Sequence, residues 1–191
     1  MLRVVLDTNC LIQSISHRSP YYRIWSDFIA ERYALCVTTE ILEEYAEILT
    51  QHLSPTVAEI VVAAILRANN TVRVDAQFRF NLIAIDPDDN KFVDCAIVSN
   101  AAYIVTNDAH FNCLATIPFP RVDVCGIDEF LRELSDEDHI RSLMKAVATT
   151  PSSQESECSR SRCDRSGRGC SAAAHALCTS RSDRFGSANP C

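Results

Sequence analysis

The sequence predicts an α/β domain built on a short parallel sheet. Three observations carry that reading. The apolar runs Val4-Val5-Leu6, Ala34-Leu35-Cys36-Val37 and Tyr103-Ile104-Val105 are continuous, as in strands buried on both faces. These runs alternate along the chain with longer stretches of helical period. Apolar residues make up 47% of the chain, enough to fill a core around such a sheet.

Arg3 to Leu6 reads as the first strand and stops at Asp7. Tyr22 to Tyr33 reads as a helix, and Ala34 to Val37 as the second strand. Thr39 is placed to cap a helix that runs to about Thr50. Ser54-Pro55 opens another helix, reaching about Ala68. Thr71 to Val74 is the third strand. The turn Asp86-Pro87-Asp88-Asp89 introduces a helix over 88–101. Tyr103 to Thr106 is a strand ending at Asn107-Asp108, and a short helix follows it. Val122 to Val124 is the last strand. Asp128 to Leu134 closes the domain, and 136–148 either extends that helix or forms a separate one.

The 191 residues divide near residue 150. Residues 1–150 hold 21 acids against 12 Lys and Arg, a net charge of −9, while 151–191 hold 4 acids against 6 Arg, a net charge of +2. The later segment contains ten Ser and five Cys but no Val, Ile, Tyr, Trp or Met. Such a composition cannot offset its ordering entropy, so 151–191 is expected to be a disordered tail. The expected organisation is a domain over 1–134, a C-terminal helix over 135–150, and that tail. Its cysteines form no C-x-x-C pair, which argues against a zinc module. Residues 1–125 contain no glycine, which excludes a dinucleotide loop and a Walker A loop there. The longest apolar run, Ile60 to Leu66, is too short to span a bilayer, and the N-terminus lacks a signal-peptide layout. A cytoplasmic protein without a membrane partner is expected. The five body cysteines sit in apolar segments and should be buried thiols.

In open parallel sheets, functional residues gather at the carboxyl ends of strands. Asp7 and Asp108 each follow a strand directly, although each could equally cap the helix after it. Within 88–101, Phe92, Val93, Ala96 and Ile97 define an inward face, and Asp89 projects onto its middle. Asp94 projects beyond Ile97 and reads as peripheral. On the helix after Thr39, Glu40 and Glu47 point away from the apolar stripe, and Glu44 sits at its edge. Together these positions suggest three or four carboxylates meeting at one end of an acidic body, without Lys or Arg partners. Their mutual repulsion is relieved by a hard divalent cation, Mg²⁺ or Mn²⁺. A site of that kind suits phosphodiester hydrolysis.

Four stretches carry a family resemblance: Val4-Val5-Leu6-Asp7-Thr8-Asn9, Thr39 to Leu49, Asp86 to Phe92, and Ala101 to Asp108. With the ending Ile127-Asp128-Glu129-Phe130-Leu131, they make residues 2–134 resemble PIN-domain ribonucleases, the toxins of toxin–antitoxin pairs. The resemblance implies a three-layer α/β/α fold and metal-dependent endoribonuclease activity on RNA. It also implies a homodimer and a cognate antitoxin protein. Carried over residue by residue, it makes Asp7, Glu44, Asp89 and Asp108 the catalytic, metal-binding acids. Thr8, Asn9 and Thr106 would shape the site by hydrogen bonding, and Asp94 is the reserve acid. No histidine is needed as a base, and His110 reads as structural despite its nearness to the fourth motif. A HAD-type phosphatase would place a second aspartate where Asn9 stands. A receiver domain would place a lysine near Asp108, and none is there. A different class of reading is a non-catalytic PIN-like module whose acidic pocket receives a partner's arginine.

Overall fold

The computed structural model describes residues 1–136, all within one compact unit. Its elements run β1 (Arg3–Leu6), α1 (Thr8–Ile15), α2 (Tyr22–Ile29), β2 (Ala34–Val37), α3 (Thr39–His52), α4 (Pro55–Arg67) and β3 (Thr71–Arg73). After a loop and a 3-10 turn at Pro87–Asp89 come α5 (Asn90–Ser99) and β4 (Tyr103–Val105). A 3-10 stretch at Ala109–Thr116, then β5 (Val124–Cys125) and α6 over 127–136, complete it. The predicted tail over 151–191, and the part of the predicted C-terminal helix beyond 136, lie outside the described residues. Among the described residues, no helix is long and apolar enough to cross a membrane.

The five strands form one sheet in the order β3-β2-β1-β4-β5, and every pairing is parallel. Val4, Val5 and Leu6 on β1 are buried one after another, as are all four residues of β2. Successive side chains on a strand point to opposite faces. Unbroken burial therefore means that helices cover both faces, which is the expected α/β/α arrangement. The chain adds β2 and β3 on one side of β1, then crosses to add β4 and β5 on the other. The switch point thus falls between β1 and β4, where Leu6 is in register with Val105.

Local chemistry sets the element ends. Thr38, one residue earlier than predicted, caps α3 by accepting the Ile41 N–H, and Ser54 caps α4 by accepting that of Val57. The helix expected over Tyr22 to Tyr33 stops at Ile29, because Glu31 takes the left-handed conformation at φ 56°. Asn100 ends α5 in the same way, at φ 50°. One helix, α1, enters the sequence reading only as the helix that Asp7 could cap. Its cap is Asp7, whose carboxylate accepts the Asn9 N–H. Of the five cysteines expected to be buried, Cys10, Cys36, Cys95 and Cys125 are, while Cys113 is only half-buried; burial pushes Cys10 and Cys125 up to about 12.

Buried aromatics join the layers. Phe130 on α6 meets Tyr33 edge-on at 5.2 Å between ring centroids, and Tyr103 at 6.0 Å. Tyr45 on α3 is fully buried and donates its hydroxyl to the Leu6 carbonyl at 2.5 Å. That bond ties α3 to the end of β1, one residue before Asp7. Tyr45→Phe is expected to cost about 1–2 kcal/mol by leaving a buried acceptor short of a donor. Denaturant unfolding of the full chain checks this, and an unchanged midpoint would contradict it.

Candidate active site

Asp7 leaves the end of β1 as its backbone N–H bonds to the Val105 carbonyl at 3.0 Å, which brings it against the end of β4. Thr106, the next residue on β4's side, donates its hydroxyl to Asp7 Oδ2 at 2.8 Å and accepts the Asp108 N–H at 3.0 Å. One buried hydroxyl therefore links the two strand-end aspartates. Both also act as helix caps, since Asp7 Oδ1 accepts the Asn9 N–H and Asp108 Oδ1 accepts the His110 N–H. The capping and clustering readings hold together, because each carboxylate has two oxygens.

Glu44 reaches this end of the sheet from α3. Its Oε1 accepts the Thr8 hydroxyl at 2.6 Å, and its Oε2 pairs with Lys91 Nζ at 2.5 Å. The carboxylates are thus not without a cationic partner, contrary to expectation. Lys91 lies on α5 two residues after Asp89, so its side chain can cross from α5 to α3. Between α3 and the loop after β3 lies a groove of about 690 Å³, with Glu40, Glu43, Glu47, Arg79, Asp88 and Lys91 among its lining residues.

Asp89 arrives by a different route from the one predicted. Asp86 Oδ1 accepts the Asp88 N–H and Pro87 follows, so the first turn is a tight 3-10 turn and α5 starts only at Asn90. Asp89 ends that turn with its side chain 18% exposed, rather than sitting mid-face on a buried helix. It nevertheless turns toward the other acids. Burial and the charges of Asp86 and Asp108 push its carboxyl above the usual range, against the pull of a His110 hydrogen bond. Asp7 is pushed up chiefly by burial, and also by Asp89 and Glu44. Asp7 thus feels the charges of Asp89 and Glu44, and Asp89 that of Asp108, but among the described residues the trio whose donor atoms lie within 4.8 Å of one another is Asp86, Asp89 and His110.

Two site-shaping expectations need revision. Asp94 is fully buried rather than peripheral. Its Oδ1 accepts the Phe80 N–H at 3.0 Å, while Oδ2 makes no hydrogen bond and faces Arg79 Nη1 at 3.6 Å. It fastens the loop after β3, and its partners include none of the four acids. The helix-wheel reading failed because α5 is enclosed by the sheet on one side and by this loop on the other. Asn9 contributes only its backbone N–H to Asp7, and its side chain is exposed. Thr8 and Thr106 donate their hydroxyls to Glu44 and Asp7 respectively.

Two further residues, Lys91 and Asn90, have no role in the sequence reading, and His110, read there as structural, stands against two of the acids. Lys91 balances Glu44. Asn90 is buried and bonds to the Ile83 N–H, the Ile83 carbonyl and the Pro87 carbonyl, pinning the turn that carries Asp86 and Asp89. His110 places Nδ1 3.2 Å from Asp89 Oδ2 and 3.5 Å from Asp108 Oδ1. Its position two residues after Asp108, in the cap of the next turn, was the available signal.

The donor set suits a hard divalent ion. Carboxylates raised by burial and by each other are relieved by a cation, and the oxygens come from several separate elements. A family model for the PIN domain matches residues 3–110. Among solved structures, the chain is similar to VapBC2 from Rickettsia felis bound to a promoter DNA fragment. That match has 16% identity and a TM-score of 0.48, covering 65% of this chain and 98% of the other. It is also similar to DNA-bound VapBC from Salmonella typhimurium, with 19% identity, a TM-score of 0.48, and coverage of 66% and 99%. No curated protein matches the chain.

Proposed function

Because the chain belongs to the PIN domain family, we propose that it is a metal-dependent endoribonuclease and the toxin of a toxin–antitoxin pair. The observation that carries this reading is the meeting of acids at the switch point of the sheet, where Thr106 bonds to both Asp7 and Asp108 and His110 lies against both Asp89 and Asp108. Asp7, Asp89 and Asp108 would hold Mg²⁺ or Mn²⁺, with Glu44 beside them. Bound there, such an ion supplies Lewis-acid polarisation of the phosphate and a lower pKa for an attacking water.

The chain's own residues do the positioning. Thr106 holds Asp7 and Asp108 in fixed relation. Thr8 and Lys91 hold Glu44 in place. Lys91 also brings a positive charge to which a phosphate oxygen can move. In this reading residues 1–134 carry the activity, and a chain ending at Thr150 keeps it. A cognate antitoxin and a homodimer belong to the same proposal, as does a cytoplasmic setting. A second reading is favoured by the acidic groove, in which Glu40, Glu43, Glu47 and Asp88 would receive a partner's arginine without catalysis.

The test is cleavage of a labelled, mixed RNA pool by the full chain with Mg²⁺, with Mn²⁺ and with chelator. Cuts that require metal and vanish in Asp7→Asn are expected. A folded protein that leaves the pool intact under every condition would move the assignment to the binding module.

A further inference from the structure

We propose that Asp86, Asp89 and His110 form a mixed nitrogen–oxygen cation position that takes a transition ion such as Mn²⁺ in preference to Mg²⁺. This rests on the metal-dependent reading above and adds to it a donor outside the four acids. One donor atom from each of the three residues lies within 4.8 Å of the other two. A modest turn of partly exposed side chains closes that spread around an ion with ligand distances of about 2.1 Å.

The three donors are held by separate backbone features. Asp86 caps the 3-10 turn, Asp89 ends it, and Asn90 pins the turn to Ile83. His110 comes from the other side of the switch point, where its N–H bonds to Asp108 Oδ1 at 2.9 Å. That bond presents the imidazole to both Asp89 and Asp108, with Nδ1 at 3.2 and 3.5 Å. The His110 side chain is 38% exposed, so a cation can reach the ring from solvent. Asp89 belongs to both donor sets, which makes the new position a neighbour of the carboxylate site.

The chemistry decides which ion gains. Mg²⁺ prefers oxygen ligands and gives up its water reluctantly, so an imidazole adds little for it. Transition ions accept imidazole nitrogen readily, with affinity rising along the series from Mn²⁺. A competing role for His110 is a hydrogen bond that only orients Asp89. The two roles differ in whether nitrogen touches the ion.

The experiment uses the full chain, with Mn²⁺ alone and Mg²⁺ alone as probes, and needs no RNA. Titration calorimetry gives both affinities, and pulsed EPR of the Mn²⁺-loaded protein reports ¹⁴N coupling from a directly bound ring. Wild type is expected to show that coupling. His110→Ala is expected to lose it, with Mn²⁺ affinity falling roughly tenfold and Mg²⁺ affinity nearly unchanged. His110→Gln, which keeps a hydrogen-bond donor toward Asp89, should lose the coupling too and guards against an unfolded variant. Bound Mn²⁺ without ¹⁴N coupling would overturn this inference and leave the nuclease reading standing. No Mn²⁺ binding at all would overturn both.

Discussion

Asp7→Asn is expected to lower metal-dependent RNA cleavage by about a hundredfold or more, while raising the thermal midpoint of the metal-free protein at pH 7. The two effects have one cause. Burial, with help from Asp89 and Glu44, pushes the Asp7 carboxyl above its usual range in the folded protein. A group raised on folding favours the native state when protonated. Its contribution is full below the unfolded carboxylate pKa near 4 and is lost as pH rises through the raised folded value. At pH 7 the ionised Asp7 is therefore a cost to the metal-free fold. Asparagine removes that charge and remains a good helix cap for α1. A gain of a few degrees is expected at pH 7, shrinking as pH approaches 4. Adding Mn²⁺ reverses the order, because wild type gains stability from a bound ion and the variant gains little. Thermal melts of both proteins at two pH values, with and without Mn²⁺, check this. A variant less stable than wild type without metal at pH 7 would contradict it.

Asn90→Ala is expected to destabilise the protein by about 3–4 kcal/mol and to abolish cleavage. The side chain is buried and makes three hydrogen bonds, to Ile83 N–H, Ile83 carbonyl and Pro87 carbonyl. Alanine leaves the first two groups buried without those partners, at roughly 1–3 kcal/mol for each unsatisfied group. The loss lands on the turn that carries Asp86 and Asp89, so activity falls further than the loss of folded protein. Unfolding in urea measures the stability, and cleavage under conditions where the variant stays folded measures the rest. An effect below about 1 kcal/mol would show that water replaces the amide without strain.

The strands β1, β2 and β4 were legible because continuous apolar runs have no other comfortable place in a domain of this size, whereas the last strand, expected over Val122 to Val124, stands at Val124–Cys125. Asp7 was legible for the same reason, since it stops such a run, and Asp108 because it follows another after only Thr106 and Asn107. The interior of α5 was not. A helical wheel assumes one buried face, but Asn90, Asp94 and Ser99 are buried along with the apolar residues of that helix. The loop after β3 bonds to Asn90 and Asp94, and Ser99 lies against Arg3 and Cys36 of the sheet. The cross-element pairings of Lys91 with Glu44 and of His110 with Asp89 were hidden too. Their roles arise from distances across 47 and 21 positions of sequence, between Lys91 and Glu44 and between His110 and Asp89. The helix α1 was legible only through the capping reading of Asp7, because its eight residues Thr8–Ile15 are too short to show a full apolar period.

The central place of β1 has a consequence for the order in which the protein is made. β1 needs both flanking neighbours, and one of them, β4, leaves the ribosome much later, since it begins only at Tyr103. The bond from Thr106 to Asp7 spans 99 positions. A nascent chain therefore carries Asp7, α3 and Glu44 long before it has the strand that completes the acidic group. Assembly of the site waits for most of the domain, and an interrupted translation product ending before Thr106 holds the first acid without the hydroxyl that orients it.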